Sequence, residues 1–166
     1  MKRRRVVAVV VIAPALGMAV PAIPPVVAQD ACTTWTVGMM EDEGGPVLTA
    51  QACTEDRSDA FLSLTRFAGR VFIRYDLAAG SEVAPRLEEV TDVTFSTGND
   101  AATIAMAYEE MDGRHAANAG ADDALIQLLR AGDTLTIRDV PAHYPEKHFS
   151  LAGSAAAIGK LTADCR

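Results

Sequence analysis

From residue 35 onward, apolar and polar positions alternate with period two over a series of short segments, then recur at helical spacing in the last third. Residues 35–40 read as a strand with Trp35, Val37 and Met39 on one face, followed by an acidic turn at 41–46. A second strand is expected at 47–53, then a polar loop at 54–59. The clearest hairpin pairs Phe61, Leu62, Leu64 and Phe67 with Val71, Phe72, Ile73 and Tyr75 around Ala68-Gly69, where Gly69 can supply a positive φ. Residues 77–86 form a loop and 89–95 a strand. Residues 103–111, with Ile104, Met106 and Tyr108 on one face, suit strand or helix, and the turns at Gly98-Asn99-Asp100 and Asp112-Gly113 favour a strand.

The texture changes after residue 120. A helix is predicted at 121–131, with Asp122 and Asp123 in its first turn, Leu125, Ile126, Leu128 and Leu129 at helical spacing, and Gly132 ending it. Strands at 134–140 and 147–151 follow. A last helix at 155–163 carries Ile158 and Leu161, with Ser154 as its N-cap. The pattern predicts an α+β fold: an antiparallel β-sheet or sandwich of about seven or eight strands with two short C-terminal helices. The expected core draws on Trp35, Leu62, Leu64, Phe72, Val93, Phe95, Leu128, Ile137, Phe149, Leu151, Ile158 and Leu161.

The N-terminal 28 residues are of another kind. Lys2-Arg3-Arg4-Arg5 precede an apolar run to Val20 and a Pro-rich stretch ending Val26-Val27-Ala28, the form of a secretory signal cut after Ala28. Pro14, Gly17 and Pro21 interrupt the run, which argues against a spanning helix of about 20 apolar residues. Gln29-Asp30-Ala31 before Cys32 lacks a lipobox, and no twin-arginine pattern follows the basic residues. The expectation is a signal at 1–28 and one exported domain at 29–166, in the periplasm or secreted, with no membrane attachment after signal removal.

Export changes the charge and the cysteine chemistry. The signal takes four of the 15 basic residues and none of the 22 acidic ones, leaving 11 basic against 22 acidic. Such a surface disfavours nucleic acid, which needs clustered Lys and Arg. Cys32, Cys53 and Cys165 would meet an oxidising compartment, and an odd count leaves one thiol over. Cys32–Cys53 joins the ends of two adjacent strand-like segments. Cys53–Cys165 closes a longer loop and would stabilise more in the chain-entropy model.

The C-terminal third also carries a family likeness. Leu125-Ile126-Gln127-Leu128-Leu129-Arg130-Ala131-Gly132, Thr134-Leu135-Thr136-Ile137, Phe149-Ser150-Leu151-Ala152-Gly153 and the Ala-rich run to Leu161 and Cys165 form an ordered string. It resembles the type VI secretion-associated VasI-type periplasmic proteins, which end in a helix, a strand, a Phe-x-Leu-x-Gly junction, an Ala-rich helix and a Cys. It is similar, more loosely, to the invasion-associated locus B family, with Trp35 matching an early Trp and Ser154 standing where that family has an aromatic. The VasI-type pattern places a partner Cys at the end of the central Leu-x-Leu strand, where this chain has Thr65-Arg66. The resemblance thereby favours Cys32–Cys53, with Cys165 a free thiol. Neither family implies a catalytic residue.

The residues themselves offer no catalytic set. His143, Glu146 and His148 lack a recognised zinc spacing, and these histidines and His115 read as exposed loop residues. No Gly-x-Ser-x-Gly elbow occurs, and an N-cap role accounts for Ser154. Glu88-Glu89 and Glu109-Glu110 point to opposite faces of a strand and cannot converge. Arg66, Arg70 and Arg74 lie in or beside the hairpin, the last two on one side, where they are expected to pair with acidic residues on a solvated face. The resulting expectation is a non-enzymatic accessory or binding protein with a protein partner and no cofactor. The alternatives are an inhibitor of an extracytoplasmic hydrolase such as lysozyme, matched by charge, and a hydrolase with an unrecognised site.

Overall fold

A computed structural model describes residues 34–54, 61–79, 81–82, 84, 90–98 and 100–163. The expected signal with its cut after Ala28, Cys32, Cys165, most of the 54–59 loop and Glu88-Glu89 lie outside the described residues.

The elements run β1 (Thr36–Asp42), β2 (Gly45–Cys53), β3 (Phe61–Phe67), β4 (Arg70–Tyr75), β5 (Val90–Thr97), β6 (Asp100–Glu109), β7 (Arg114–Ala119), α1 (Ala124–Ala131), β8 (Thr134–Asp139), β9 (Lys147–Ser150) and α2 (Ser154–Thr162). The nine strands of the described residues belong to one antiparallel sheet, ordered β1-β2-β3-β4-β7-β6-β5-β8-β9. The expected β-rich fold with two late helices is present, as a single sheet rather than a sandwich and with nine strands rather than seven or eight. Strand β7 accounts for the difference. Its sequence, RHAANA, lacks β-branched residues, yet it is paired on both sides, with β4 and β6. Position between two ladders overrides weak propensity.

The sheet curls until its edges meet. Trp35 donates its backbone N–H to Ala152 O at 3.2 Å and its indole Nε1–H to Ser150 O at 3.1 Å, joining the start of β1 to the end of β9. Tyr75 of β4 and Phe149 of β9 meet edge-to-face inside the curl, ring centroids 5.7 Å apart. Helix α2 packs against β1, β2 and β3, α1 against β5 and β6, and the two helices against each other. The inner face is therefore the core. Leu62, Leu64, Ile73, Phe95, Leu135 and Phe149 are sealed from solvent there, with Leu129, Ile158 and Leu161 from the helices.

Phe72 departs from the expected core. It pairs with Thr65 on the outer face and is half-buried. Period two decides this: Val71, Ile73 and Tyr75 point inward, so Phe72 cannot. The hairpin loop is as expected, with Ala68 and Gly69 at φ 49° and 76°, the positive values a two-residue loop of this kind needs. The acidic turn is tighter than expected, because β1 and β2 pair through Asp42 and Gly45. Helix α1 starts at Ala124, with Asp123 as N-cap rather than in the first turn. Its Gly132 is extended, and an added Cβ there would lie 2.5 Å from Thr97 Cγ2, so close packing is what requires glycine. Helix α2 is entered from Gly153 at φ 84°, and Ser154 is its buried first residue, not the cap.

Candidate binding face

The outer face of β1–β4 carries a broad depression. Even positions of β1 and odd positions of β2 and β3 share this face, which puts Thr49, Gln51, Ser63 and Thr65 on its floor. Thr49 and Thr65 share a hydrogen bond of 3.3 Å. Two adjoining cavities of about 570 and 340 Å³ meet at Asp42, Val47, Thr65 and Arg74. The smaller is apolar through Phe67 and Phe72, whose rings pack edge-to-face at 6.2 Å.

Arg74 organises the electrostatics. Its Nε lies 3.0 Å from Glu109 Oε2 and 3.6 Å from Asp112 Oδ2, and its Nη1 lies 3.7 Å from Asp42 Oδ2. The guanidinium also sits 5.9 Å from the Phe72 ring centre, a cation–π distance. The expectation that the hairpin arginines pair with carboxylates on a sheet face holds for Arg74. What spacing alone could not show is that Asp42, Glu109 and Asp112 come from the β1–β2 hairpin and from β6 and the turn after it, 32 to 38 residues away in sequence.

Around the groove stand apolar side chains that a solvated face would not need. Met40 is 45% exposed, Phe67 62% and Met111 86%. Three of the six exposed large hydrophobics among the described residues therefore rim one groove.

A second polar group is internal. His115, expected on the surface, is 1% exposed between Tyr108 and Tyr144, at ring distances of 5.1 and 6.1 Å. It is buried because it falls on the inward register of β7, opposite Tyr75. Its Nδ1 has no hydrogen-bond partner among the described residues. Burial lowers its pKa below 6.5, against the opposing pull of Asp76 and Asp139. Asp139, equally buried, accepts N–H bonds from His143 at 2.7 Å and Tyr144 at 3.2 Å, which fixes the turn after β8.

The remaining candidates do not converge. His143 and His148 are exposed as expected, with His148 Nε2 3.5 Å from Glu146 Oε1. Among the described residues no three His, Cys, Asp or Glu side chains form a metal-binding group. Glu109 turns to Arg74 while Glu110 stays exposed. Cys53 is buried at the end of β2. No helix of the described residues is long and apolar enough to cross a membrane.

These features define a class: a curled antiparallel sheet closed over two helices, with a groove of mixed apolar and acidic character on its outer face. Among solved structures, this chain is similar to the crystal structure of invasion associated protein b from Bartonella henselae, at 17% identity and a TM-score of 0.53 over 79% of this chain and 92% of that one. The likeness is one of fold. No family description and no curated protein matches the chain. The looser of the two resemblances read from the sequence thus has a counterpart in fold, and nothing in these comparisons bears on the type VI one.

Proposed function

We propose that this chain is an exported, non-enzymatic binding protein that acts through a protein partner in the periplasm or outside the cell. The observation that carries the reading is the groove on β1–β4, where Met40, Phe67 and Met111 stand exposed around a polar floor beside Arg74 and its carboxylates. Apolar side chains clustered at a concavity mark interaction sites more often than solitary ones do. The N-terminal signal pattern supports export, and the shared fold with a protein described as invasion associated is consistent with work at the cell envelope. The type VI version of the reading rests on the C-terminal string alone.

The reading includes a Cys32–Cys53 disulfide, with Cys165 free. Cys53 is bonded rather than a titrating thiol.

The inhibitor reading stays second, supported by the 11 basic against 22 acidic residues of the exported part. Fractionation of cells carrying a tagged chain, followed by cross-linking, tests both. A discrete envelope partner in the extracytoplasmic fraction is expected. A lysozyme partner with loss of its activity would favour the inhibitor, and a chain retained in the cytoplasm without a partner would sink both.

A further inference from the structure

Strand β1 is an end of the sheet, and its exposure is nearly continuous from Thr36 to Asp42. The bond from Trp35 to Ala152 seals only its start. From Val37 to Asp42 its outer edge has no strand beside it among the described residues, about 20 Å of backbone. Unpaired edges template added strands, and proteins usually blunt them with charged residues, above all lysine, with proline or with a bulge; here only the tip, Glu41-Asp42, is charged. The edge reads Val-Gly-Met-Met-Glu-Asp and has neither lysine nor proline.

We infer that this edge and the groove beside it take an extended segment of a partner protein in which basic side chains alternate with apolar ones. The inference deepens the binding-protein reading and rests on it. A segment paired to β1 sends alternate side chains to the outer face, over the groove lined by Met40, Val47 and Met111. Methionine adapts to varied apolar shapes.

The charge selects the partner. Glu41, Asp42, Glu109 and Asp112 lie at the groove, against Arg74 and Arg114. Arg74 is already shared among three of those carboxylates, so an incoming anion would meet net repulsion and an incoming Lys or Arg net attraction.

The test is fluorescence anisotropy of the purified protein with a labelled decapeptide of alternating Lys and Leu, beside Glu–Leu and Lys–Ser counterparts, with amide shifts mapped by NMR. The Lys–Leu peptide is expected to bind best, to shift β1, β4 and residues 110–114, and to lose at least about tenfold in affinity in M40S/M111S and in D42N/D112N. Both double variants alter exposed or half-exposed positions, and their circular dichroism checks the fold. No binding, equal binding to both variants, shifts elsewhere, or a dimer abolished by the same substitutions would overturn the inference. A cellular partner captured equally by wild type and both variants would refute the groove yet leave the binding-protein reading standing. The absence of any partner would refute that reading itself.

Discussion

His115 shows how burial turns one side chain into a pH dependence. In the fold, burial opposes protonation of its ring, so its pKa lies below 6.5. The unfolded chain takes up that proton near pH 6.5, whereas the fold resists it until its lower pKa is reached. Below about 6.5 the unfolded state binds more protons, so stability falls with falling pH, by up to about 1.4 kcal/mol per unit for this one group. The loss ends once pH passes below the folded pKa. Urea unfolding at pH 7.0 and 5.5 checks it: H115F should lose less stability between the two than wild type, and an equal loss in both would assign the dependence to other groups.

At the scale of elements, period two decides which aromatics hold the protein together. Phe149 is sealed inside the curl and Phe72 lies on the outer face, although both sit in strongly apolar strands. F149A should cost about 3–5 kcal/mol, as for a buried Phe, and F72A well under half of that. Denaturant midpoints at constant m-value would show it, and similar costs would mean that Phe72 belongs to the core. Strands with β-branched and aromatic alternation, such as β3, β4 and β8, were legible in the sequence because local pattern and burial agree there. So were both helices, to within a few residues. Strand β7 was not, since Ala and Asn give no strand signal and only its two neighbours make it one. His115 was missed for the same reason: without β7 there is no register to send it inward.

The whole molecule is an acidic chain folded into one curled sheet whose edges are joined through Trp35. The candidate groove was only half visible before folding. Arg74 and its expectation of acidic partners followed from strand spacing. The gathering of Met40, Phe67 and Met111 did not, because it depends on three hairpins, β1–β2, β3–β4 and β6–β7, brought to one face by the strand order. Their exposure separates a binding face from an ordinary ion-paired one, since surface pairs alone contribute about 0–1 kcal/mol and need no apolar rim.

The most direct measurement is site-specific photo-cross-linking in living cells, with the reactive side chain placed at Met111 on the groove rim or at Val140, exposed after β8 outside it. The account predicts a discrete adduct from position 111 in the extracytoplasmic fraction, reduced by D42N/D112N, and none from position 140. No adduct from 111, or equal adducts from both positions, would contradict it.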